Sequence, residues 1–280
     1  MGTAVRGLIF VLVMAVPLVV LVYLVLTPIL RRSRRKRLRA ASPPAGLEAT
    51  LEQKVRLYTA LPADLREQLL GHANVFLAEK EFIGRGGQEI TDEVRFIVAG
   101  TACMLLLNRE PSYFPGFTSI LIYPETYEGS SVRYDGLVEV HERTARAGES
   151  WHRGPIVLSW GDVIRGVSDP DDGFNVVLHE FAHKLDEQAG GTDGVPELHK
   201  ASHFDDWVEV LTREYEALHE RVSRGKNRVL DEYGLTSPPE FFAVATESFF
   251  EKPRAMQRRL PDLYEQLKRF YRVDPAEWGV

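Results

Sequence analysis

The hydrophobic pattern divides the chain into a long apolar run and a longer part in which apolar and polar residues alternate. From Gly7 to Leu30 there is no charged residue, and Leu, Val and Ile dominate these 24 positions. Such a run is long enough to cross a bilayer as one tilted helix. Pro17 is compatible with this interpretation, because membrane helices tolerate proline. We therefore predict a transmembrane helix over residues 7–30.

A dense basic run after the apolar one predicts the orientation of this helix. Residues 31–39 contain seven Arg or Lys, whereas Arg6 is the single charged residue before the apolar run. Positively charged flanks remain on the cytoplasmic side. We therefore predict a single-pass protein of the inner (plasma) membrane, with a basic flank and linker over residues 31–47 and a cytoplasmic domain. A cleaved signal peptide is the alternative, but its basic residues would precede a shorter apolar run.

The remaining pattern predicts one domain over residues 48–280. Apolar residues at helical spacing predict helices over 49–60, 63–79, 89–105, 204–222 and 254–271. Short β-rich runs separated by Gly and Pro predict strands within 118–124, 136–140 and 155–160. Ser237 is typical of a helix N-cap and Pro238 of a first helical residue, and that helix continues through Phe250. The fold class is α+β, mainly helical with a small mixed sheet.

Charge and cysteine content exclude several functional classes. Of the 34 Lys and Arg, eight lie in residues 1–39, which have no acidic residue, so the rest of the chain has 26 basic against 40 acidic residues. So acidic a domain argues against nucleic acid as a partner. The single cysteine, Cys103, excludes an intrachain disulfide and a cysteine-rich metal site. Any metal would therefore be bound by His and carboxylates.

The pattern that carries chemistry lies between Asn175 and Asp186. Within it His179, Glu180 and His183 form an H-E-x-x-H motif on an apolar, helical stretch that Gly190 and its neighbour would end. Positions i and i+4 share one face of a helix, so both imidazoles can reach one metal ion. A zinc ion there would acidify water, and the Glu would accept its proton.

The third zinc ligand stays open on spacing alone. The metzincin pattern requires Gly and His where this chain has Asp186 and Ala189, so that pattern is excluded. Asp186 itself is a candidate, although its position on the same helix is awkward. Glu240 and Glu247 are candidates from the next predicted helix. Because they are seven residues apart, they lie on nearly the same helix face, and periodicity does not choose between them.

Four segments carry a resemblance to a known family. They are Phe76–Phe82, Val157–Val163, Asn175–Asp186 and Tyr233–Ala243. In these segments the chain resembles the Mlc titration factor A family of bacterial zinc metallopeptidases, which is distantly similar to the catalytic domain of anthrax lethal factor. The resemblance implies a zincin-like fold with a gluzincin site that holds one Zn²⁺. It also implies Glu240 as the third ligand and Tyr233 as a donor to the transition state.

The resemblance implies two functional hypotheses. The first is a membrane-anchored zinc peptidase of aminopeptidase-like activity, with Glu180 and Tyr233 as catalytic residues and a peptide or protein as substrate. The second is a membrane-tethered regulatory binding protein with a structural or vestigial zinc site, because the best-known branch of the family binds a transcriptional repressor of sugar uptake. This chain departs from the soluble family pattern by its apolar N-terminal run, which predicts the lipid bilayer as a further partner.

Overall fold

The computed structural model describes residues 3–124, 154–169, 171–225 and 229–278. By its internal contacts the chain divides into two units, Met1–Ser42 and Pro43–Val280. The first unit contains helix α1, Thr3–Arg39, with Pro17 and Pro28 inside it. Within α1 the stretch Ala15–Arg39 is a candidate for a membrane span, on the grounds of its length and apolar composition alone.

The second unit is mainly helical with a small sheet, which confirms the predicted α+β class. Its helices are α2 Leu47–Lys54, α3 Arg56–Ala60, α4 Ala63–Glu79, α5 Asp92–Met104, α6 Trp160–Ser168, α7 Val176–Asp186, α8 Phe204–Ser223, α9 Pro238–Glu251, α10 Pro253–Arg259 and α11 Pro261–Tyr271. Its strands are β1 Glu81–Gly84, β2 Ser119–Tyr123 and β3 Ile156–Ser159. Short 3₁₀ segments cover Glu187–Ala189, Ala201–His203, Glu232–Leu235 and Pro275–Glu277.

The strands form one sheet in the order β1-β2-β3. Both pairings within the described residues are parallel, with Ile120 of β2 opposite Ile156 of β3. We expected a mixed sheet, and the predicted strand at 136–140 lies outside the described residues. Ile120 and Ile122 are buried while their neighbours in β2 are less so. This alternation gives the sheet one buried face, and β3 contacts α6 and α7.

Two predicted helices are divided by breaks. The helix predicted at 49–60 is interrupted at Val55, whose backbone is extended (φ −113°, ψ 95°). The helix predicted at 254–271 is interrupted at Leu260 (φ −136°, ψ 55°), directly before Pro261. The second break has a plain cause, because proline disfavours the helical conformation in the residue before it. The sequence pattern was therefore correct in helix type but wrong in continuity.

The region around β3 also differs from the prediction. Trp160, which we placed at the end of a strand, is the first residue of α6. Ser159 caps this helix, since its hydroxyl accepts a hydrogen bond from the backbone N–H of Asp162 at 3.3 Å. A serine that ends a strand can thus begin a helix at once.

An aromatic cluster fixes the position of α7 in the core. Phe181 of α7 is fully buried, and its ring centroid lies 4.8 Å from that of Phe114, 5.5 Å from that of Phe76 and 5.9 Å from that of Phe117. Phe76 belongs to α4, and the other two belong to the segment before β2. Such contacts combine a large burial of apolar area with preferred ring geometry. They anchor α7, so its remaining faces are presented to α9 in a fixed orientation.

Candidate metal centre

The helix that carries the H-E-x-x-H motif begins and ends at recognisable residues. Asn175 caps its start, because the side-chain oxygen accepts a hydrogen bond from the N–H of Leu178 at 3.1 Å. After α7 a 3₁₀ turn leads to Gly190, whose φ of +91° is the left-handed conformation that favours glycine. His179 is buried and His183 is half-buried, both on the face of α7 that looks toward α9.

The second helix supplies a carboxylate to the same place. Ser237 caps α9, where its hydroxyl accepts from the N–H of Glu240 at 3.4 Å, and Pro238 is its first residue. The predicted cap and start of this helix are therefore confirmed. Since the cap fixes the first turn of α9, Glu240 lies at the helix N-terminus and faces both histidines.

Three possible ligand atoms converge between the two helices. The Oε2 atom of Glu240 lies 2.9 Å from Nε2 of His179 and 3.3 Å from Nε2 of His183. The two Nε2 atoms are 3.2 Å apart. All three atoms lie within 4.8 Å of one another. Two imidazole nitrogens and one carboxylate oxygen form the donor set of a catalytic zinc site, which keeps its fourth position for water.

The charges around this point favour a cation. Burial opposes a charge on His179, but the negative charge of Glu247 and hydrogen bonds to Glu240 and Glu247 outweigh it and raise its pKa well above the usual value. Burial also opposes ionisation of Glu240, yet hydrogen bonds to His179 and His183 hold the pKa of that carboxyl well below its usual range. Glu240 is therefore an ionised carboxylate in a partly buried position, as a metal ligand must be.

The structure separates Glu240 from the other two candidates for the third ligand. Glu247 lies on the opposite side of the imidazole, with Oε2 3.5 Å from Nδ1 of His179. Asp186 is directed away, and its Oδ2 accepts a hydrogen bond from the N–H of Gly194 at 2.9 Å. Neither carboxylate is part of the cluster of ligand atoms.

Sequence reasoning missed the contacts that Asn175 and Glu251 make behind the ring of His179. The backbone N–H of Asn175 donates to Oε1 of Glu247 at 3.0 Å, and its side-chain amide donates to Oε1 of Glu251 at 3.0 Å. Asn175 before an apolar helix is a recognisable N-cap signal, but its bonds to α9 are tertiary contacts that sequence does not disclose. The result is a buried polar network that holds α7, α9 and the ring of His179 together.

The two residues predicted to act in catalysis lie at the same place. Tyr233 is in the 3₁₀ segment before α9, and its ring centroid is 6.0 Å from that of His179. Burial, followed by the charges of Glu240 and Glu180, raises the pKa of Tyr233 to about 12. Glu180 is half-buried and its charge acts on both His179 and Tyr233. The structure thus brings together the five residues that the sequence singled out.

Comparison with known proteins agrees with this constellation. The family described as "Glucose-regulated metallo-peptidase M90" matches residues 30–272. An uncharacterized protein of Synechocystis sp. is 37% identical over 244 residues, covering 86% of this chain and 89% of the relative. The protein named Mlc titration factor A of Yersinia pestis is 31% identical over 245 residues, covering 85% and 89%. The chain belongs to the glucose-regulated metallo-peptidase M90 family, as its resemblance to Mlc titration factor A indicated.

Proposed function

We propose that this protein is a membrane-anchored zinc peptidase whose active site faces the cytoplasm. In this proposal His179, His183 and Glu240 bind one Zn²⁺, and α1 anchors the chain in the inner membrane. The observation that carries it is the convergence of the three ligand atoms within 4.8 Å. Glu180 lies beside these ligands, and the chain belongs to a metallopeptidase family.

The side chains around this site have separate tasks in peptide hydrolysis. A zinc ion bound there would supply the Lewis acid that polarises the peptide carbonyl and acidifies water. Glu180 accepts the proton of the attacking water and later passes it to the leaving amine. The Tyr233 phenol keeps its proton at neutral pH, because its pKa is about 12. It therefore donates a hydrogen bond to the carbonyl oxygen as negative charge develops there.

The substrate class is a peptide or protein, and removal of amino-terminal residues is the more specific form of the proposal. This aminopeptidase form of the proposal rests on the family resemblance. A panel of peptides with free and blocked amino termini, incubated with the purified protein, tests this form. Cleavage of free-terminus peptides alone supports an aminopeptidase, whereas equal cleavage of blocked peptides indicates an endopeptidase.

The proposed site is tested on the full-length protein in detergent micelles. We expect about one zinc per chain in the wild type. Glu240→Ala should lose the zinc, because a ligand is removed. Glu180→Gln should retain it and lose turnover by roughly a hundredfold or more, because the general base is removed. Glu216→Gln, an exposed position on α8, is the control for the loss of one carboxylate and should match the wild type in both measurements.

Each alternative outcome has a definite meaning. Folded wild type without zinc, purified from zinc-supplemented medium, would refute the metal site. Zinc retained by Glu240→Ala would show that Glu240 is not the third ligand. Turnover retained by Glu180→Gln would remove that residue from its role as base.

A second candidate function follows from the names of the relatives. We infer it from the name Mlc titration factor A, which describes the Yersinia proteins as titrating another factor. In this alternative the chain is a membrane-tethered binding protein for a transcriptional regulator, and its zinc site is structural or vestigial. A regulator that the wild type and Glu180→Gln capture equally well would support binding independent of catalysis. Loss of capture in Glu180→Gln would argue against it.

A further inference from the structure

A second cavity, of about 410 Å³, lies at the carboxyl end of the motif helix α7. Its walls are the segment after α5, the 3₁₀ turn after α7, the loop around His199 and the end of α11. None of the proposed zinc ligands or catalytic residues lines it. Its volume is in the range that holds a small molecule.

Arg109 brings to this cavity a positive charge that has no hydrogen-bonded partner among the described residues. Its guanidinium makes no hydrogen bond and no ion pair within the part of the chain that the structure describes, and its Nη1 atom is buried without a partner. It is stacked 4.3 Å from the centroid of the Phe270 ring. Burial lowers the pKa of Arg109, but a guanidinium remains charged at neutral pH. A partly buried charge without a hydrogen-bonded counter-ion is costly, so an anion in the cavity would be favoured.

Two further residues line the same cavity, Arg272 and His199. Arg272 caps α11 in the left-handed conformation (φ 58°), and its carbonyl accepts a hydrogen bond from the side chain of Asn108 at 3.0 Å. His199 donates from Nε2 to the carbonyl of Phe270 at 3.0 Å. Burial, followed by the charges of Arg109 and Arg272, lowers the pKa of His199, so this imidazole adds no positive charge at neutral pH.

The acidic residues of the cavity indicate which kind of ligand it would bind. Glu110 and Glu197 also line the cavity, both are exposed, and the charge of Glu197 acts on Arg109. Two carboxylates repel a multiply charged anion such as phosphate, but they attract an ammonium group. Leu106 and Leu185 offer an apolar wall. We propose that this cavity binds a free amino acid, with Arg109 and Arg272 facing its carboxylate and Glu110 and Glu197 facing its ammonium group.

The proposal is tested by thermal unfolding of the full-length, chelator-treated protein in detergent micelles at constant ionic strength. The probes are L-leucine, acetate and inorganic phosphate, and removal of metal prevents them from binding to a zinc ion. We expect leucine to raise the melting temperature at lower concentration than acetate or phosphate. Arg109→Gln should need at least about tenfold more leucine for the same shift. Arg272→Gln should need severalfold more, and Arg258→Gln, an exposed control on α10, should match the wild type.

The other outcomes overturn the proposal. A wild type that no probe stabilises, or an Arg109→Gln variant that leucine stabilises equally, would show that the cavity is not the binding site. A shift with phosphate alone would show that the ligand class is wrong. If Arg109→Gln fails to fold, Arg272→Gln tests the proposal instead, because the side chain of Arg272 is exposed and its replacement should leave the fold intact.

Discussion

At the scale of single residues, the ring of His179 faces one carboxylate at each of its nitrogens. Glu240 faces Nε2 and Glu247 faces Nδ1. Glu247 is itself held by the backbone N–H of Asn175, at the cap of the same helix. A carboxylate at the second nitrogen of a metal-binding histidine fixes the tautomer and the orientation of the ring. We therefore assign Glu247 a positioning role in the proposed zinc site.

Glu247→Gln tests this role. The amide oxygen can still accept the hydrogen bond from Asn175, but the negative charge beside Nδ1 of His179 is lost. We expect zinc affinity to fall by roughly tenfold to a hundredfold while the fold is retained. Competition for zinc with a coloured chelator measures the affinity, and far-ultraviolet circular dichroism checks the fold. Glu216→Gln is the control, and an affinity equal to that of the wild type in Glu247→Gln would contradict the assignment.

Asp186 predicts how stability depends on pH. Burial raises the pKa of this carboxyl from 3.8 to about 6, so between those values the folded state binds more protons than the unfolded state. The contribution of Asp186 to stability should therefore fall as the pH rises from about 4 to 6, by at most about 3 kcal/mol. Asp186→Asn removes this ionisation and can still accept the hydrogen bond from Gly194.

Urea unfolding of chelator-treated protein near pH 4 and near pH 7 checks this prediction. Relative to the wild type, Asp186→Asn should become more stable as the pH rises, because the wild type alone then buries a charge. A stability difference that stays constant across this range would show that Asp186 does not titrate as described.

At the scale of elements, the features that depend on neighbours in sequence were predicted better than those that depend on tertiary packing. The caps at Ser237 and Gly190 and the amphipathic helices were readable, because each depends on neighbours in sequence. The strand Glu81–Gly84 was not predicted, since only two of its four residues, Phe82 and Ile83, are apolar. The break at Val55 has no proline to announce it, and the structure gives no local cause for it.

The same division applies to the candidate site. The spacing of His179 and His183 predicted a shared face, because a helix repeats locally. The choice between Glu240 and Glu247 required the packing of α9 against α7, which decides the nitrogen that each carboxylate faces. Periodicity could not supply this packing, and at the level of sequence only the family resemblance favoured Glu240.

Close packing of α6 against the start of the motif helix yields an element-scale prediction. A Cβ atom at Gly166 of α6 would lie 2.9 Å from Cα of Asn175 and 2.9 Å from the carbonyl oxygen of Phe174. Both are backbone atoms, so they cannot yield as a flexible side chain would. Gly166→Ala should destabilise the fold by about 1–3 kcal/mol. It should also weaken zinc binding, because Asn175 holds Glu247.

Chemical denaturation and zinc competition measure these two effects. Gly191→Ala is the matched control, since a Cβ atom there meets its nearest atom at an ordinary 3.5 Å. Gly166→Ala with the stability of Gly191→Ala would show that the two elements can separate without cost.

At the scale of the whole molecule, the two units differ in charge and in polarity. The first unit has an apolar helix and a basic end, and the remainder of the chain is strongly acidic. Anionic lipid heads attract the first and repel the second. This contrast is consistent with the proposed membrane anchor, in which the basic end would lie at the membrane surface and the acidic domain in water.

The charge bias around the apolar run predicts the topology of the chain. Seven basic residues follow the run and Arg6 alone precedes it, so the C-terminal domain should stay in the cytoplasm. In spheroplasts, protease added outside should leave the domain intact until the membrane is permeabilised, and carbonate washing should not release it.

Replacing the seven basic residues of 31–39 by Gln should expose a substantial fraction of domains to external protease, because Arg6 then remains as the sole positive flank. Arg6→Gln, which strengthens the bias, should stay fully protected. Digestion of the wild type in intact spheroplasts would contradict the orientation, and release by carbonate would contradict the anchor.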